Sequence, residues 1–200
     1  MNLLKLSEEE KLILKITFNN IMKKLSDNYK KMYNRNKIDY DIKKDGKNKG
    51  QWGYYITNNL YELMYELQKN NINSLFDLGA GVGHLVLLLN SFGINAKGIE
   101  IEEELVNRSK LLINNITQND IFNLTQNDMN KDESLYFWDP FYDKVLIEKF
   151  VKHLENIMIK DQLIVFQNVK ISKYLLNSKS FKLISTDDNE LPSIYVMRKL

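Results

Sequence analysis

The sequence contains no cysteine, which excludes disulfide staples, zinc–thiolate sites and a thiol nucleophile. Histidine is nearly as scarce: His84 and His153 are the only two. No Ser-His-Asp or metal-ligating constellation is visible, and no metal is expected. His153 has apolar neighbours and reads as structural. No apolar stretch reaches transmembrane length, because Asn, Lys or Glu interrupts every candidate. Met1 to Leu6 runs directly into Ser7-Glu8-Glu9-Glu10, which is no signal-sequence pattern. A cytoplasmic protein without a membrane partner is therefore expected. There are no internal repeats, and nothing in the sequence speaks to oligomeric state.

What is present suffices for a full core: 200 residues, 44% of them hydrophobic, suit one domain with a helical extension. The net charge of +2 selects no class of partner, but its distribution is uneven. Between Lys23 and Lys49, ten basic residues face Asp27, Asp39, Asp41 and Asp45, a local excess of +6, with Tyr29, Tyr33 and Tyr40 interleaved. Two readings stand. One is a phosphate-tracking surface with stacking positions; the plainer one is a solvated helix face and a polar linker.

The densest chemical information lies between residues 75 and 100. The apolar run Leu75-Phe76 ends in Asp77, and Gly79, Ala80, Gly81 and Gly83 follow in a glycine-rich turn. A helical apolar stretch begins at His84, and a second apolar run ends in Glu100 and Ile101. This is the sequence form of a strand–turn–helix–strand unit that holds a nucleoside. Glycine lets the main chain turn sharply and approach a ligand closely. The following helix directs its first amides at that ligand. Glu100, at the tip of the second strand, can accept both hydroxyl hydrogens of a ribose. The dinucleotide pattern G-x-G-x-x-G would require glycine at 84, where this chain has His84. A nucleotide-free fold in which the glycines merely make a tight turn is the alternative.

Asp77-x-Gly79-x-Gly81-x-Gly83, with Glu100 closing the next strand, resembles the class I S-adenosylmethionine-dependent methyltransferases. The resemblance is specific over residues 75 to 110 and continues more weakly to about 168. It implies an α/β fold: a doubly wound, mostly parallel seven-stranded sheet with helices on both faces and a terminal antiparallel hairpin. It also implies S-adenosyl-L-methionine as cofactor. Residues 1–50 are expected to form an N-terminal helical extension and polar basic loop, and residues 51–200 the Rossmann-like domain. Asp128 falls where related enzymes often carry an acid that bonds the adenine amino group, although Asn127-Asp128 is also an ordinary turn signal. Asp139-Pro140-Phe141 sits where amino-methylating enzymes hold the target nitrogen. Its single proline followed by Phe is similar to small enzymes that include the non-SET protein lysine methyltransferases. A strand stop with a helix cap is the alternative reading of Asp139-Pro140. Tyr54, with Trp52, could fold over the methionine end of the cofactor, or could instead be a core contact.

The periodicity predicts one or two helices over 7–33 with an apolar stripe through Leu12, Ile16, Ile21, Met22 and Leu25. Further helices are expected at 57–69, 84–91, 102–114 and 142–158. Strand three is expected at 121–124, strand four at 135–138, strand five at 162–167, and the hairpin at 181–185 and 194–198. The implied activity is methyl transfer to a nitrogen on a macromolecular acceptor, with a protein lysine favoured. Nucleic acid, held through residues 23–49, and a non-catalytic cofactor-binding or partner-docking module are the rivals.

Overall fold

The computed structural model describes residues 3–32, 59–138, 140–141, 143–167, 169–187 and 193–200. Helix α1 (Glu8–Met32) opens with a reciprocal cap. The Glu10 carboxylate accepts from the Ser7 amide and hydroxyl, and the Glu10 amide donates to Ser7 Oγ, satisfying donors that a helix start leaves orphaned. The expected stripe on this helix is corrected. Leu12 and Ile16 are more than half exposed, whereas Phe18 is buried and Leu14 half-buried. Phe18 packs on Tyr61, and Lys15 pairs with Glu62, so the inward face follows the 11/14/15/18 spacing. The side chains of Ile21, Met22 and Leu25 lie outside the described residues.

Helix α2 (Leu60–Lys69) buries Leu60, Leu63, Met64 and Leu67 as the period of 3.6 requires. Then come β1 (Ser74–Leu78), α3 (His84–Ser91), β2 (Asn95–Glu100), α4 (Glu103–Ser109) and β3 (Ile116–Gln118). They are followed by β4 (Ser134–Trp138), α5 (Lys144–Ile157), β5 (Leu163–Gln167), α6 (Val169–Asn177), β6 (Phe181–Thr186) and β7 (Tyr195–Lys199). The seven strands lie in the order β3-β2-β1-β4-β5-β7-β6. All neighbours are parallel except β7, which runs antiparallel to both β5 and β6. Parallel strands must be covered on both faces, and two apolar cores do so. Helices α2, α3 and α4 pack on the face carrying Leu75, Ala96, Tyr136 and Val165. Helices α5 and α6 pack on the face carrying Phe76, Ile99, Phe137 and Phe166.

Strand three lies earlier than its apolar pattern suggested. Residues 121–123 form a 3-10 turn, and Ile116–Gln118 make the edge strand, with Ile116 opposite Gly98. An edge strand needs only one inward side chain per turn of pleat, so it carries little apolar signal. Leu124 goes instead to the α5 core, with Ile121 and Phe122 against it. The helix expected over 102–114 is shorter, ending at Ser109, and α6 adds a helix between β5 and the hairpin. Among the described residues, no helix is long and apolar enough to cross a membrane.

The β1–β2 contact is close because Gly98 has no side chain. A Cβ there would lie 2.5 Å from the Ala80 Cβ, 3.0 Å from Ile116 Cδ1 and 3.2 Å from the Asp77 carbonyl oxygen. Gly98→Ala is expected to lower unfolding free energy by about 1–3 kcal/mol, the range for overpacking. Urea denaturation checks this, and a neutral result would show that the turn moves aside freely.

Candidate functional site

The carboxyl end of β1 leads directly into the glycine turn. Gly79, Gly81 and Gly83 all have positive φ (98°, 58° and 81°). Gly79 leaves open space: a Cβ there would meet nothing within 4 Å. At Gly83 a Cβ would press on Ile113 and Ile116 at 3.0–3.1 Å, so this glycine allows helix–strand packing as well as the turn. The amides of Gly79 and Ala80 both donate to the Ile99 carbonyl, at 3.0 and 2.8 Å. Gly83 then caps α3, whose first turn carries buried His84. Burial pulls the His84 imidazole down to about 4, so it is neutral at physiological pH.

Glu100 joins the turn to the second strand. Its Oε2 accepts from the Gly81 amide at 2.9 Å, and its Oε1 accepts from Ile101 and Glu102 at 2.8 and 3.0 Å. Burial raises this carboxyl above its usual range, while the three amides oppose the shift by bonding the charged form. Ile101 is half exposed beside it. Asp77 is buried near Glu100, and desolvation followed by the Glu100 charge pushes it up to about 8. The structure thus brings together Asp77, Gly79, Ala80, Gly81, Gly83, Glu100 and Ile101.

Asp128 does not join them. Its carboxylate accepts from the Thr125 amide and hydroxyl at 2.8 Å, which holds it below the usual carboxylate range. Its carbonyl accepts from Lys97 Nζ. Lys97 stands three residues before Glu100, about 10 Å back along the strand. The acid beside Glu100 is Asp120, which the sequence reading missed. The Asn119 amide donates to the Glu100 carbonyl at 3.0 Å, and half-buried Asp120 accepts from the Phe122 amide at 2.9 Å. Placing strand three at Ile116–Gln118 was the signal needed to find it. Gly98, two residues before Glu100, was missed too. Its signal was its place in strand two, where a side chain would strike the turn.

Pro140 and Phe141 are half-buried at the end of β4. The Phe141 ring stacks on Phe122 (5.4 Å, 25°) and meets Phe150 edge-on (5.3 Å), so it belongs to the aromatic cluster beneath α5. Asp139 and Tyr54 lie outside the described residues. His153 is structural as expected: its Nε2 lies 2.9 Å from the Ile121 carbonyl oxygen, and its ring meets Phe122. Among the described residues no group of three or more His, Asp or Glu is placed to hold a metal ion.

The raised Asp77 carboxyl gives ligand-free stability a definite pH dependence. Its folded value of about 8 exceeds its ordinary 3.8, so the folded state binds the extra proton between those limits. The contribution is full below about pH 4 and is lost as pH rises through 8. Melting temperature across pH 5–8 should therefore fall more steeply for the wild type than for Asp77→Asn; parallel curves would show that Asp77 is ionised throughout.

No protein-family model matches the chain, and no curated protein sequence matches it. Solved structures do resemble it. The magnesium protoporphyrin IX methyltransferase of Synechocystis PCC 6803 with bound SAM is 18% identical, with a TM-score of 0.51, over 69% of this chain and 76% of that one. An RNA methyltransferase from Salinibacter ruber in complex with S-adenosyl-L-homocysteine is 17% identical, with a TM-score of 0.53, over 71% and 92%. At these identities the likeness establishes architecture: the chain has the seven-stranded Rossmann-like methyltransferase fold, with its C-terminal antiparallel hairpin.

Proposed function

We propose that this chain is an S-adenosylmethionine-dependent methyltransferase that acts on a nitrogen, with a protein lysine side chain as acceptor. The observation that carries the cofactor is the joint placement of the open glycine turn and the buried Glu100 carboxylate at adjacent strand tips. The residues fit the group. Glu100 would take the ribose hydroxyls, and Asp120 and Ile101 would border the base, with Asp120 in the role first given to Asp128. The glycine turn would admit the ligand against the main chain, and Asp77 would face its cationic end. Neighbours of the same fold hold this cofactor or its product.

Bound S-adenosylmethionine supplies a methyl group on a sulfonium whose departure needs no acid. The chain's own task is therefore alignment of a neutral amine with that carbon, with a base needed only if the amine arrives protonated. The acceptor assignment rests on Asp139-Pro140-Phe141 at the tip of β4. In this reading Asp139 holds the hydrogens of the target nitrogen, and Pro140 and the stacked Phe141 fix the loop that presents it. Tyr54 is proposed to close over the methionine end. The basic stretch 23–49 supports a second reading, in which the acceptor is a nucleic acid.

S-adenosylhomocysteine at about 100 times its Kd should stabilise the wild type by about 2.7 kcal/mol. The thermal shift should vanish in Glu100→Ala; a wild type with no shift would remove the cofactor assignment. Asp139→Ala should keep the shift and lose transfer of labelled methyl to a macromolecule of a cell extract. Label that a protease releases supports the lysine reading, whereas label released only by nuclease moves the acceptor to nucleic acid.

A further inference from the structure

Beside Asp77, the carboxyl edge of the sheet holds two buried polar groups, Tyr136 and Gln167, that the cofactor contacts above do not use. Tyr136 on β4 lies opposite Asp77 in the strand register, and Gln167 ends β5. The Tyr136 hydroxyl donates to Gln167 Oε1 at 2.9 Å. Asp77, Tyr136 and Gln167 are each 5% exposed or less. Alternation along the strands places all three on the face of Leu75 and Val165, beneath α2. Packing alone does not call for this chemistry, because phenylalanine at 136 and leucine at 167 would fill the same space without a hydroxyl or an amide to satisfy. Burial and the neighbouring Asp77 charge also push the Tyr136 phenol well above its usual range, so it stays a neutral hydroxyl.

The direction of the cofactor follows from charge. Its ribose diol matches Glu100 on β2, and its other end carries an ammonium. Running across the glycine turn from β2 over β1 brings that end to β4, two strand spacings or about 10 Å away. There, among the described residues, lie Asp77 and Tyr136. We infer that Tyr136 binds the amino-acid end of the cofactor beside Asp77, its hydroxyl fixed by Gln167. With its hydrogen committed to Gln167, the Tyr136 oxygen presents lone pairs to the ammonium. Gln167 is thus a positioning residue that sets the hydroxyl rotor. This inference rests on the cofactor reading proposed above and adds a specificity element to it.

Two ligands separate the roles: S-adenosylhomocysteine carries the amino-acid end, and 5′-methylthioadenosine keeps the adenosine and thioether without it. In Tyr136→Phe, calorimetry should show affinity for the first falling about ten- to a hundredfold, as for loss of a hydrogen bond to a charged group. Affinity for the second should not change. The double variant Tyr136→Phe/Gln167→Leu, which leaves no unpaired amide, should show the same split. An equal loss for both ligands makes Tyr136 structural and overturns the inference, as does unchanged affinity for both. A wild type that binds neither ligand overturns the cofactor reading itself, whereas a variant with full S-adenosylhomocysteine affinity removes only Tyr136 and Gln167.

Discussion

The carboxylate of Glu100 is the contact on which the site depends. Burying a carboxylate is unfavourable unless hydrogen bonds replace water, and here amides from three positions do so: Gly81 in the turn, Ile101 at the strand end and Glu102 before α4. One side chain thereby fixes the turn, the second strand and the entry to the next helix relative to one another. A carboxylate offers about four acceptor positions, and these bonds use three. On the proposed reading a ribose diol would bring two donors, so one amide would have to yield. Gly81 is the one free to do so, since Ile101 and Glu102 are adjacent in sequence to the carboxylate they serve. Ligand entry and the conformation of the glycine turn would then be coupled through this bond.

The same period-two logic organises the rest of the carboxyl edge. Ala96, Gly98 and Glu100 share one face of β2, Leu75 and Asp77 share one face of β1, and Val165 and Gln167 share one face of β5. Each strand is apolar at its centre, or empty at Gly98, and polar at its tip. That gradient keeps the core intact while delivering a row of buried polar groups to one place. Among the described residues, the opposite face shows no such row. Phe137, Phe150, Phe166 and Tyr195 fill it with ring contacts of 5.0–5.4 Å, which makes it the rigid support beneath the edge.

Much of this was legible in the sequence, for identifiable reasons. The strand–turn–helix unit from Leu75 to Ser91, the strand at 135–138 and the terminal hairpin were readable because local pattern and tertiary role agree there. Strand three was not: Ile116–Gln118 is held by pairing to β2, while the more apolar 121–124 serves a different core. That displacement also hid Asp120 and drew attention to Asp128. Helix α1 misled because its outward face is apolar at Leu12 and Ile16, while the inward face includes Lys11 and Lys15. Tyr136 was invisible for the opposite reason. Inside Leu135-Tyr136-Phe137-Trp138 it reads as one more aromatic core residue, and only the three-dimensional placement of Asp77 and Gln167 reveals a polar role.

The electrostatics of the edge favour a cationic ligand in a graded way. Burial, with the neighbouring Glu100 charge added to it, pushes Asp77 up to about 8 and so favours its protonated form. A bound positive charge would offset both terms and return Asp77 towards its ionised form. On the proposed reading, the methyl donor brings a sulfonium and an ammonium, whereas the product keeps only the ammonium. The two buried acids therefore interact more strongly with the donor than with the product, and transfer of the methyl group removes a charge that the site is built to hold. The acids would then serve both selection of donor over product and release after turnover. Burial contributes most to raising Asp77 and the Glu100 charge adds to it, so the ionisation of Asp77 would respond to a cation bound beside it.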